Sequence, residues 1–512
     1  MESHPHPLAV KLVPTLTDFA FLSPIVIQFF LGGGAPALLR DGDTGWHIRT
    51  GEWILAHGSI PRQDLYSFTK GGQPWFAWEW LWDVAAAALH ARWGLAAVVV
   101  ASTLMLCLTA AIVYRIICAR GVNPLIGFGV TVLACLVSSL HWLARPHLVS
   151  LLLIALFWLV LEKSAQGRLK LLFLLPVLTV LWANLHGGFL AGVGLIGVYA
   201  AAEVLAVVRG VGATAALRRS LPYLTCAAAC LLASLVNPYG YRLVWHIVRY
   251  LADPFYTQTI AEFMPISFGD FGSLLFEVMM IIGIVGAIGS LGRGRFSDFI
   301  LVLGWLHLAL RSARHVPLFA MVSAPVIALT LEEWLTGLAR APVAGWLRGA
   351  ASGFQSAIAE LTNEPRIERF RLASVLGVLG IAYMVGSAAS PPKFHADFYS
   401  DEFPVEAADF LRRNRPQARV FSTDRWGGYL IYRTYPSGRV YIDGRSDFYG
   451  PAFVREYLDV LALKPGWQRR LAEHGVDTVV LPAGAPLADA LAQEGGWESS
   501  YRDDVAVVFE RR

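Results

Sequence analysis

The side chains able to carry acid–base or phosphate chemistry gather in a few short stretches of this chain. The first begins Asp41-Gly42-Asp43-Thr44-Gly45-Trp46-His47, passes Asp64 and closes on Trp78-Glu79-Trp80. The others are His141-Trp142-Leu143-Ala144-Arg145-Pro146-His147, then Asn184-Leu185-His186, a segment from Asn237 to Glu262, and Arg311-Ser312-Ala313-Arg314-His315. Two carboxylates separated by one residue repel each other unless a cation or a proton lies between them. Asp41 and Asp43 therefore suit either a general base or a pair of ligands for a divalent cation, Mg or Mn. Arg145, Arg311 and Arg314 offer planar forks matched to phosphate oxygens, with His315 beside them. Each group also has a structural reading. Trp75, Trp78, Trp80 and Trp82 fit an interfacial aromatic belt, the arginines can reach lipid headgroups, and His141 and His186 can be structural.

The elements that must hold these residues are membrane helices. Of 512 residues 55% are hydrophobic and only 16% charged, and the net charge of +4 is too small for a nucleic-acid-binding surface. Mean hydropathy is +0.51. Eleven apolar runs fall near 19–39, 94–116, 124–141, 147–162, 170–185, 189–208, 220–236, 273–291, 297–311, 316–331 and 372–390. The stretch 80–90 reads as a twelfth span or an interfacial amphipathic helix. Lys and Arg recur in alternate connections, at Arg115 and Arg120, Lys163 to Lys170, Arg209 to Arg219, Arg293 and Arg295, and Arg340 to Arg371. Those connections face the cytoplasm by the positive-inside bias, which puts the amino terminus inside and every chemistry-bearing stretch outside. The five cysteines lie in or beside apolar runs and read as small buried hydrophobes. Residues 1–391 thus form a polytopic membrane domain with a long first external loop, 40–93. Residues 392–512 read as an external α/β domain, with strands at 419–422, 429–432, 439–443, 477–481 and 505–510 and helices at 405–413, 452–463, 467–474 and 486–493. Asp443 and Asp447 read there as turn residues around Gly444.

Asp41-Gly42-Asp43 after the first apolar run, Trp46-His47 behind it and the long loop returning at Glu79 resemble the GT-C superfamily of integral-membrane glycosyltransferases, especially its protein mannosyltransferase and aminoarabinose transferase-like branch. The resemblance implies a multi-pass helical fold with an external α/β domain and a bacterial inner-membrane location. It implies transfer of a sugar from a polyprenyl-phosphate donor to a glycan, lipid or protein acceptor of the cell envelope, with Asp41 or Asp43 as base. Substrate contacts are then expected from His47, Asp64, Trp78, Glu79, His141, Arg145, His147, Asn184, His186, Arg311, Arg314 and His315. The usual adjacent acidic pair is here interrupted by Gly42, and Trp426-Gly427-Gly428-Tyr429 matches an oligosaccharyltransferase signature only without its acid. A transporter or flippase of lipid-linked saccharides is the alternative, and it expects ionisable groups near mid-bilayer.

Overall fold

The computed structural model describes residues 13–269, 271–342, 344–362, 372–387 and 391–512; Arg366, Arg369 and Arg371 of the last basic connection lie outside them. Helix α1, Leu16–Ile25, starts at Thr15, whose side chain and that of Asp18 cap each other's backbone N–H groups. It is followed by α2, Asp43–His57, and α3, Trp80–Ala119. Forty continuous helical residues would extend about 60 Å, twice a bilayer core. The element is instead two limbs, broken where Trp93 and Gly94 leave helical geometry, Gly94 at φ +66. Residues 80–90 belong to its first limb.

Next come α4, Pro124–Ser138; α5, His147–Ala165; α6, Leu174–Leu185; α7, Phe189–Leu205; and α8, Ala213–Ala233. The helical part closes with α9, Tyr241–Ala252; α10, Phe271–Gly292; α11, Phe296–Arg311; α12, Val316–Arg340; and α13, Leu372–Gly386. The described residues of the eleven apolar runs are mainly helical. Among the described residues, six helical segments are long and apolar enough to cross a membrane: Trp80–Ala119, Pro124–His141, His147–Ala165, Phe189–Arg209, Ser273–Gly292 and Ala313–Arg340. Shorter apolar helices are Leu16–Leu31, Leu169–Leu185 and Leu372–Gly386. At the end of this bundle opposite Asp43, the buried Arg120 joins three helices by pairing with Glu162 at 2.8 Å and Asp298 at 2.9 Å.

The carboxyl-terminal part carries α14, Val405–Asn414, and α15, Asp424–Thr434, around a five-stranded sheet ordered β2-β1-β3-β5-β4. The strands are β1, Arg419–Ser422; β2, Arg439–Val440; β3, Thr478–Pro482; β4, Trp497–Arg502; and β5, Ala506–Arg511. β1 runs parallel to β2 and β3, and β5 runs antiparallel to β3 and β4. The expected strand at 429–432 is corrected: these residues lie in α15, where Tyr429, Leu430 and Ile431 are all buried. A segment covered on every side loses the alternation that separates strand from helix, so its aromatic and branched residues misled the reading. β4 was not expected at all, and β2 is shorter than the expected 439–443.

This part is fastened to the first loop by backbone contact. Phe68 N–H donates to the Val440 carbonyl and Val440 N–H to that of Tyr66, both at 3.1 Å, which extends the sheet past β2. At the start of α2 the approach to α15 is closer still. A Cβ on Gly45 would stand 2.6 Å from the Gly428 carbonyl oxygen, and one on Gly427 would stand 2.7 Å from the Asp443 Cα. Glycine at these positions lets two helices meet through their backbones, setting Asp43 against the 442–447 turn.

Candidate functional site

The meeting of α2, the 141–147 segment, the 259–263 segment and the 442–447 turn encloses a cavity of about 570 Å³. Asp41, Asp43, Trp78, Glu79, Arg145, His147, His186 and Arg314 line it, as the sequence led one to expect, joined by Glu262, Asp443, Arg445 and Asp447. Its centre is one guanidinium. Arg145 Nη1 lies 2.5 Å from Asp41 Oδ2 and 2.7 Å from Glu262 Oε1, and its Nη2 lies 3.0 Å from Asp43 Oδ2. The segment holding Arg145 is itself tied down, since Ala144 N–H donates to the Leu38 carbonyl at 2.7 Å and the Thr44 hydroxyl donates to the Ala144 carbonyl at 3.2 Å. Asp41 Oδ1 also accepts the Asp43 N–H at 2.9 Å, so the short acidic motif folds back on itself.

Electrostatics separate the carboxyl groups. Burial, then the charge of Asp41, pushes Asp43 up to about 8 despite Arg145, and burial pushes Glu79 up to about 8 as well. Glu262 is buried too, but Arg145 and Arg314 hold it well below the usual carboxylate range. Burial works against the Arg145 charge, and the carboxylates of Asp41, Glu262 and Asp43 overcome it, keeping that guanidinium charged. The site therefore combines a permanently ionised Arg145–Glu262 pair with two carboxyls able to exchange a proton near neutral pH, the property expected of a general base.

The remaining expected residues are distributed around this centre. His47 lies beneath the cavity, its Nδ1 2.6 Å from Asp83 Oδ1. Asp64 is buried behind it and accepts from Arg445 Nη2 at 2.7 Å, while Arg445 also forks onto Asp443. Arg445 sits 4.5 Å from the Trp75 ring centre, and its Nη1 is buried without a hydrogen-bond partner. Asn184 is occupied structurally, accepting from the Trp80 indole N–H at 2.8 Å and donating to the Val180 and Val236 carbonyls. His141 packs on His147, and His315 packs near Trp305, neither lining the cavity. Arg311 ends α11 exposed and also stands apart from it. Asp443 and Arg445 were missed because Asp443-Gly444-Arg445-Ser446-Asp447 reads as a turn. The signal available was its density of charge around one glycine, and a Cβ on Gly444 would collide with the Asp43 carboxylate.

A divalent cation held by Asp41 and Asp43 does not fit this arrangement, because the Arg145 guanidinium stands between the two carboxylates. Among the described residues no group of three or more His, Cys, Asp or Glu side chains is placed to hold a metal ion.

No protein-family model and no curated protein matches the sequence. Solved structures do. The chain is similar to the archaeal oligosaccharyltransferase AglB from Archaeoglobus fulgidus, solved with an inhibitory peptide and a dolichol-phosphate, at 13% identity and a TM-score of 0.55, over 96% of this chain and 73% of that one. The Archaeoglobus fulgidus oligosaccharyltransferase in its apo form matches at 11% identity and 0.54, over 91% and 69%, and its complex with Zn and sulfate at 12% and 0.53, over 97% and 73%. At such identities what is shared is the fold.

Proposed function

We propose that this protein is a membrane glycosyltransferase that moves a sugar from a polyprenyl-phosphate donor to an acceptor of the cell envelope. The observation that carries the reading is the cavity itself: a buried acidic pair gripped by Arg145, at the junction of a helical bundle and an outer α/β part, in a chain with an oligosaccharyltransferase-like fold. An amphipathic donor needs lipid for its tail and a polar chamber for its head, and the polar lining of this cavity suits the head. In the proposed reaction Asp43, ionised, takes the acceptor hydroxyl proton. The acceptor oxygen bonds to the anomeric carbon as the bond to phosphate breaks, and the departing electron pair goes to the phosphate oxygen with inversion. Arg314 and the unpartnered Arg445 Nη1 would receive that developing charge, while Arg145 holds Asp43 and Asp41 in register. Trp78, which lines the cavity and stacks near His186, gives a sugar ring a flat face.

The topology belongs to the same proposal: about eleven spans, the amino terminus in the cytoplasm, residues 392–512 as a distinct external domain, and a bacterial inner-membrane setting. The test is transfer by the purified protein of a labelled sugar from polyprenyl-phosphate donors to envelope acceptors. Product from the wild type, and a loss of about 100-fold or more in Asp43→Asn with donor binding retained, are expected. Movement of the lipid-linked sugar across a bilayer with no product at all would replace the reading with the transporter one.

A further inference from the structure

Behind the cavity wall lie ionisable groups that the proposed transfer leaves unused. Glu79 is the residue through which they reach the cavity. His47 and Asp83 are 1% and 0% exposed, and His47 Nδ1 is 2.6 Å from Asp83 Oδ1. The other imidazole nitrogen, His47 Nε2, is buried with no hydrogen-bond partner and faces Glu79 Oε2 at 3.7 Å. The second Glu79 oxygen, Oε1, faces His186 Nε2 at 3.6 Å. His186 has a fixed polarity: its Nδ1 accepts from the Gly188 N–H at 3.1 Å and lies 2.7 Å from the Ser150 hydroxyl, whose oxygen accepts the Trp182 indole N–H. A neutral His186 therefore carries its proton on Nε2 and offers it to Glu79.

The opposite face obeys a different constraint. One proton lies between Asp83 and His47, whichever of the two holds it. If none lay in the second gap, the buried and otherwise unpartnered Nε2 lone pair of His47 would oppose a carboxylate oxygen of Glu79. One proton is therefore needed in that gap. Burial, Arg145, His186 and Arg445 depress His47 well below its ordinary range, and burial and Glu79 raise Asp83, so the protons belong to the carboxyls and a neutral ring and not to an imidazolium. Burial, with Asp447 and Asp43, raises Glu79 to about 8 against the opposing charges of Arg145 and Arg314.

The cavity gives this proton a use. Its lining counts seven carboxyl against five guanidinium groups among the described residues, an excess of negative charge that opposes an incoming phosphate if every carboxyl is ionised. We propose that Asp83, His47 and Glu79 form a buried proton-holding triad, and that the cavity accepts the phosphate of a lipid-linked ligand only while the proton between His47 and Glu79 is in place. Glu79 is then a positioning and specificity residue, distinct from the base. The inference rests on the donor class proposed above.

The experiment is calorimetric binding by the full chain in detergent, with polyprenyl monophosphate as probe, between pH 7.5 and 9.5, in two buffers of different ionisation enthalpy. The lipid phosphate monoester is a dianion throughout this range, and inorganic phosphate is nearly so above about pH 8.5, where proton uptake reports on the protein in both arms. Affinity is expected to fall above about pH 8 by about tenfold per pH unit for each linked proton, and Glu79→Gln should reduce the uptake by one proton per ligand. Asp83→Asn takes away the carboxyl that shares a proton with His47 Nδ1 and should displace the midpoint of the fall, an effect that damage to the fold alone would not produce. Inorganic phosphate in a parallel arm, showing the same uptake, would identify the phosphate and not the lipid as the linked group; uptake with the lipid alone would tie it to the membrane ligand. Binding without proton uptake, or an unchanged uptake in Glu79→Gln, would overturn the triad alone. Failure of the wild type to bind polyprenyl phosphate at any pH would overturn the donor reading, and the triad with it.

Discussion

Gly444→Ala adds one methyl group at the point where the 442–447 turn meets Asp43. The new Cβ would overlap Asp43 Oδ1 and stand 2.6 Å from both Cγ and Oδ2, where ordinary contacts begin above 3.4 Å. Something must move by nearly an ångström. The Gly444 backbone does not need the left-handed region, so alanine is allowed there and the overlap is the whole perturbation. The carboxylate is a mobile end in principle, but here Arg145 holds it at 3.0 Å and only 7% of Asp43 is exposed. Displacing it stretches that pair and shifts the proposed base by about 1 Å, a misplacement worth about 100-fold in rate. Overpacking costs about 1 to 3 kcal/mol of stability, which a membrane protein of this size should survive. The assay is sugar transfer under single-turnover conditions beside thermal unfolding, with Gly484→Ala as control because nothing lies within 4 Å of its added Cβ. Transfer within threefold of wild type in a folded Gly444→Ala protein would refute the claim that Asp43 is held in a working position by the turn.

Other consequences concern stability, charge and metal. Because the folded protein raises Asp43 to about 8 from an ordinary value near 3.8, it binds more protons than the unfolded chain between those limits; stability falls as pH rises through that window and stays low above it. Asp43→Asn should therefore melt higher than wild type at pH 9 and no higher at pH 3, and an equal change at both would refute the burial argument. Arg120→Met removes the cation between Glu162 and Asp298 and should cost about 3 to 5 kcal/mol, with the melting temperature as readout and no change in donor affinity in the folded fraction. Chelation with EDTA should leave sugar transfer within about twofold, because Arg145 fills the place between Asp41 and Asp43; a loss restored by Mg or Mn would show that the guanidinium gives way to a metal.

What the sequence made legible follows from range. Apolar runs of membrane length declare themselves locally, and their described residues are mainly helical, six of the helical segments being long and apolar enough to cross a membrane. The acidic motif and Arg145 were legible by residue type, and the structure brings both to one cavity. Asp443 and Arg445 were not, because their place beside Asp43 depends on glycines some 400 positions apart in the chain, and nothing local records that Gly45 meets Gly428. The 429–432 segment failed for the opposite reason: complete burial erased the periodicity that would have marked a helix. Arg311 and Arg314 were indistinguishable in sequence, yet the chain turns between them, leaving one exposed and bringing the other over Glu262 at 3.3 Å.

The central claim is that Asp43 accepts a proton during transfer of a sugar from a lipid phosphate. The direct measurement is product formation by purified wild type and Asp43→Asn, given a labelled polyprenyl-phosphate sugar and envelope acceptors, with donor binding measured on the same samples. The account predicts glycosylated product from the wild type and about 100-fold less from the variant at comparable donor affinity. Equal product from both proteins would contradict it.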